Sequence, residues 1–247
     1  MIQRFCRIQR LCRLRLTLLS ALAVYGSVGP ASAADTFEVS SIKAVRPTLV
    51  NTVAALRQGD IAGARAAFAN YDSAWNGIEI YINTRDKNLY DALEHDLQAR
   101  IEKALAAPNP DAAALGSDAQ AMLAKYDEAI SVVAAATPLN PLYDDVARLR
   151  IVRAHLREVA PALKAGDLAK ARKSYAEFDN NWDSIEDLVK ARSADAYVAI
   201  EKAMVQIEQA LMPDKPDVAK VTDLVNDIMA QYNAQLAVIT REARSWK

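Results

Sequence analysis

Cysteine is almost missing from this 247-residue chain, and its only two, Cys6 and Cys12, lie in the first twelve residues. Any protein trimmed of that segment has no disulfide and no thiolate chemistry. Histidine is equally scarce: His95 and His155 are the only two. No serine–histidine or cysteine–histidine signature and no glycine-rich phosphate loop is present, so an enzyme is not expected. Seven glycines and nine prolines leave little material for the many turns of an all-β fold. After the first segment no run of 18 apolar residues occurs, so none is long enough to span a membrane. What remains is rich in alanine, leucine, lysine and glutamate, which favours helix. With 52% hydrophobic residues it is too apolar for a disordered tail.

The first 33 residues read as a secretory leader. Arg4, Arg7, Arg10, Arg13 and Arg15 precede an apolar run from Leu16 to about Val28, and Ala31-Ser32-Ala33 then offers small residues for cleavage after Ala33. The run is short of the roughly 20 residues of a membrane span; an uncleaved anchor is the alternative. No paired arginines occur, which favours the general secretory route. Cleavage removes five of the 30 Lys+Arg and none of the 31 Asp+Glu, so the remainder carries about six net negative charges. A mildly acidic chain argues against nucleic acid as partner. The expected location is the periplasm.

Self-comparison sets the architecture. Residues 56–94 match residues 163–201 at an offset of 107 without a gap: Gly59 with Gly166, Asp60 with Asp167, Arg65 with Arg172, Asp72 with Asp179, Trp75 with Trp182, Glu79 with Glu186, Tyr90 with Tyr197 and Glu94 with Glu201. A weaker match pairs Arg46 with Arg153 and Met122 with Met229. Each copy predicts four amphipathic helices: about 45–57, 61–84, 88–106 and 111–136, then about 142–164, 168–191, 194–212 and 217–244. Gly59 is a C-terminal stop, and Asp60, Asp167 and Ser193 are candidate N-caps. Strand patterns are absent. The expected fold is all-α, a tandem duplication of an up-down four-helix bundle over 34–138 and 139–247. A superhelix of helix pairs is the alternative.

Few residues could carry chemistry. Arg65, Asp72 and Glu79 stand seven apart, close to two turns, and form a column beside Trp75; Arg172, Asp179 and Glu186 repeat it beside Trp182. Antiparallel packing would bring Glu79 near Glu94 and Glu186 near Glu201. Carboxylates on facing helices are the raw material of a hard-metal or iron site. The bland alternative is a network of ion pairs that fixes helix register, with Arg46, Arg65 and Arg85 at hand to neutralise the acids. The tryptophans and Tyr90 and Tyr197 read first as packing residues. His155 and Glu158 form a His-x-x-Glu half-site, which the other copy, with Thr48 in place of His155, does not repeat.

The segments YDSAWNGIEIYINTRDKNLYDALEHDL and FDNNWDSIEDLVKARSADAYVAIEKAM resemble the extracytoplasmic helical region carried by bacterial members of the high-affinity iron permease family. That region has a similar Trp-x-x-Ile-Glu segment followed by Tyr-x-x-Ile-Glu, and the resemblance covers roughly residues 45–240. It implies a helical periplasmic domain associated with iron uptake, iron as the bound cation, a membrane iron permease as partner, and Glu79, Glu94, Glu186 and Glu201 as iron-handling carboxylates. Asp72, Asp179, His155 and Glu158 are weaker candidates. The chain lacks the permease's membrane spans and its Arg-Glu-x-x-Glu motifs, so it is not expected to be the transporter. The expectation is a non-enzymatic accessory protein that binds or hands on iron; the alternative is a helical scaffold that holds no metal.

Overall fold

Long amphipathic stripes with polar caps fold as helices, and the computed structural model, which describes residues 35–246, is all-α, with no strand among the described residues. The leader expected over 1–33 and both cysteines lie outside the described residues. In chain order the elements are α1 (Phe37–Arg57), α2 (Ile61–Arg85) and α3 (Lys87–Asp91). A π-helical segment (Ala92–Gln98) follows, then α4 (Ala99–Leu105), α5 (Ala112–Ala135) and α6 (Pro141–Lys164). The chain ends with α7 (Leu168–Trp182), α8 (Glu186–Lys190), α9 (Ala194–Leu211) and α10 (Val218–Ser245). Gly59 and Gly166 take φ of 70° and 74°, the left-handed stop that glycine adopts without strain. Asp60, Asp167 and Ser193 accept from the amides of Gly63, Lys170 and Ala196, satisfying N-terminal donors of α2, α7 and α9.

Side-chain register gives the packing. Arg57 meets Gln120, Arg46 meets Asp127, and the Tyr126 hydroxyl donates to the Ile42 carbonyl at 2.8 Å, so α1 and α5 run antiparallel. Arg65 reaches the Leu105 carbonyl while Trp75 reaches Glu94, so α2 and the α3–α4 segment do too. The later helices repeat both arrangements: Tyr232 donates to the Leu149 carbonyl at 2.6 Å, and Arg172 reaches the Leu211 carbonyl. α1 packs on α2 and α5, and α6 correspondingly on α7 and α10. The two groups of helices meet where α2 crosses α6. The Tyr81 hydroxyl donates to Asp144 and Arg150 to Glu79, both at 2.8 Å. Gly77 lets the backbones close: a Cβ there would lie 2.5 Å from Cγ1 of Ile151. Within the first group Arg85, 8% exposed, holds both oxygens of Glu38, 3% exposed, in a buried ion pair between α2 and α1.

Three departures from the sequence reading have physical causes. α1 starts at Phe37 rather than near Val45, because Thr36 caps it and Val39 and Ile42 extend its buried stripe; Pro47 is accommodated inside it. The helix expected over 168–191 breaks at 183–185 into α7 and α8. There Ser184 donates to the Asn181 carbonyl and Asn181 to that of Glu177, side-chain bonds that compete with the helical ladder. The corresponding stretch of α2 continues unbroken, pressed against α6 through Gly77.

The third departure is register. Ile42 and Leu149 lie 107 residues apart, yet Tyr126 and Tyr232, which bond to them, lie 106 apart, as do the N-caps Asp111 and Asp217. The first group therefore holds one residue more between Glu94 and Asp111, and the π-helical segment takes it up, a wider turn that absorbs an insertion without ending the helix. The structural counterpart of Met122 is consequently Ile228, buried as Met122 is, and not the partly exposed Met229.

Candidate functional site

The α2 stripe carries Trp75 into the core and the break after α7 leaves Trp182 there; they are 0% and 1% exposed. A buried indole N–H is a donor only and needs an acceptor. Trp75 donates to Oε2 of Glu94, and Trp182 donates to Oε1 of Glu201 at 2.6 Å. Both third-helix glutamates are thus positioned by tryptophans. Sequence reading took the tryptophans as packing residues and missed these bonds; the equal 19-residue separation, Trp75 to Glu94 and Trp182 to Glu201, was the available signal.

The α2 glutamate and its counterpart have unlike surroundings. Glu79 is half-buried, and burial raises its carboxyl above the usual range; Glu94 pushes the same way, while the Arg150 guanidinium, 2.8 Å away, opposes both. Glu186 is raised by burial and by Glu201, Asp183 and Asp187, with Lys190 opposing. Glu94 thus acts electrostatically on Glu79, and Glu201 on Glu186. The neutralising arginines are not those expected. Arg46 pairs with Asp127 and Arg85 with Glu38, whereas Arg65 and Arg172 donate to carbonyls at the ends of α4 and α9. Arg150, from α6, meets Glu79 instead.

Asp72 accepts from Gln98 at 2.9 Å and lies 3.7 Å from Arg157. Asp179 sits at the matching position of α7. His155 and Glu158 both face α7 but do not act together: His155 lies 3.1 Å from Glu177, while Glu158 meets Lys170 and Ser174 at 3.5 Å. His95 is exposed, 3.8 Å from Asp91. The Tyr71 hydroxyl is buried without a partner among the described residues, and burial beside Tyr126 and Glu94 holds its proton well above the usual phenol range. Its counterpart is Phe178, so only the first group carries this polar atom in its core.

Chemically, each group of helices offers two carboxylates whose charges repel. Among the described residues no three or more His, Cys, Asp or Glu side chains are disposed to hold a metal ion. No described helix is long and apolar enough to cross a membrane. Comparison with protein-family models, with curated proteins and with solved structures finds no match to this chain.

Proposed function

We propose that the protein is a non-enzymatic accessory protein that works outside the cytoplasm and loosely holds a hard cation, iron in particular, for transfer to a membrane permease. The supporting observation is the crowding of acids about Glu186, next to a Glu201 held in place by Trp182. Like charges so placed repel, and a cation bound between them relieves the repulsion. Two carboxylates are few for a tight site, so the ion would keep water or partner ligands in its remaining positions; weak holding suits a carrier that must release. Iron rather than another hard cation, and the periplasm as the place, come from the resemblance of the Trp-x-x-Ile-Glu and Tyr-x-x-Ile-Glu segments.

A second reading, a metal-free helical scaffold, is favoured by one observation: Arg150 already neutralises Glu79. Isothermal titration of residues 34–247 with ferrous and ferric ions separates the two. The cation reading expects binding that Glu186→Gln and Glu201→Gln weaken more than Glu79→Gln does. Absence of heat, together with no rise in melting temperature, supports the scaffold, since a ligand specific to the folded state must stabilise it.

A further inference from the structure

We propose that the cleft where α2, α6 and α10 meet binds a small carboxylate. The cleft holds about 280 Å³, near the lower bound of small-molecule sites, and its wall carries Glu79, Asn83, Thr84, Tyr143, Arg150 and Arg244. Two guanidiniums stand against one carboxylate there, a surplus of one positive charge. Arg150 gives one nitrogen to Glu79. The side chains of Arg244, Asn83 and Thr84 make no hydrogen bond or ion pair with any described residue, and neither does the Tyr143 hydroxyl.

Tyr143 is the most telling of these. It is 8% exposed, and a phenol so covered ordinarily finds a partner. Its hydroxyl, unlike that of Tyr71, is not sealed from solvent, and the residue lines the cleft. The wall therefore offers hydroxyl, amide and guanidinium donors in one polar recess. A planar carboxylate matches a guanidinium fork, and Arg153 and Arg157 follow Arg150 on α6, while Asp144 and Asp145 follow Tyr143. Burial above all, then the charges of Arg150 and Arg157, weaken the hold of Arg153 on its own proton, with Glu79 opposing. At the corresponding positions of the other group Arg150 and Tyr143 are replaced by Lys43 and Thr36, and Glu79 and Asn83 by Glu186 and Lys190.

The inference stands apart from the cation reading and is tested on metal-free protein. Residues 34–247, in buffer stripped of metal on a chelating resin, are titrated with succinate and with citrate, and with phosphate and sodium chloride at equal ionic strength. Succinate or citrate should bind and raise the melting temperature. Arg244→Gln should weaken that binding at least tenfold and Tyr143→Phe severalfold, each variant melting like the parent when no ligand is present. Absence of binding by both carboxylates would overturn the proposal. So would an affinity unchanged in Arg244→Gln and Tyr143→Phe, or phosphate binding as tightly as succinate, which would mark a diffuse positive field only.

Discussion

Trp182 donates its indole N–H to Oε1 of Glu201 at 2.6 Å, tying the end of α7 to the middle of α9 across the second group of helices. With the indole buried, Glu201 is its acceptor among the described residues. Glu201→Leu should strand the donor and lower stability by about 1–3 kcal/mol in urea unfolding. Glu201→Gln retains an acceptor oxygen and should cost under about 1 kcal/mol. Equal losses in the two variants would mean that charge, and not the hydrogen bond, is what matters.

Two helical glycines should respond oppositely to alanine. At Gly77 the added Cβ would lie 2.5 Å from Ile151 Cγ1 and 3.4 Å from its backbone, so Gly77→Ala must push α2 and α6 apart. A net loss of about 1–2 kcal/mol is expected, even after the gain in helix propensity of about 1 kcal/mol. At Gly116, in α5, a Cβ meets nothing within 4 Å. Gly116→Ala should therefore raise stability by about 0.5–1 kcal/mol. Thermal melts of both variants decide the matter; a stabilised Gly77→Ala would show that the crossing yields freely.

Glu186 should make stability fall as pH rises. Its carboxyl is raised by burial and by neighbouring acids, so the folded chain keeps this proton at a pH where the unfolded chain has released it. The unfolded state then binds fewer protons, and stability declines from the unfolded value, about pH 4.3, upward through the folded one. Glu186→Gln cannot ionise. It should match the parent near pH 3 and melt higher at pH 7; a variant less stable at neutral pH would refute the assigned direction.

The π-helical segment should tolerate shortening. Deleting Gln98 removes the extra residue and moves Ile101 and Leu105 into the register that Ile207 and Leu211 hold in α9. The chain should still fold, with a continuous α-helix from Lys87 to Leu105, as amide exchange or a structure of the variant would reveal. Deleting Val205 from the regular α9 has no wide turn to draw on and should be far more damaging.

Most boundaries were legible because they depend on local chemistry: Gly59 and Gly166 as stops, Asp60, Asp167 and Ser193 as caps, stripes at spacings of three and four; the number was not, since eight expected helices became ten α-helical elements and a π-helical segment among the described residues. The π-helical turn was legible too, had the spacing been weighed. Leu89, Leu93, Leu97, Ile101 and Leu105 repeat every four residues, and all are buried, which a regular helix cannot hold on one face for so long. The pairing of Glu79 with Arg150, the break after Trp182 and the recess at Tyr143 were not legible. The first and the last depend on which helix of one group lies against which of the other, and periodicity within a single helix carries no such information; the break depends on the side-chain bonds of Asn181 and Ser184, which the apolar stripe does not report. For the candidate glutamates, the tryptophan bonds and the unequal neutralisation of Glu79 and Glu186 needed the fold.

The crossing at Gly77 makes the first group of helices an unfinished object when alone. A fragment ending at the prolines near residue 140 would bare a strip running from Gly77 to Tyr81, shaped to receive a helix that no longer arrives on the same chain. Such fragments would be expected to cling to one another, and the second group, covalently tethered, acts in the intact protein as the stopper that prevents it.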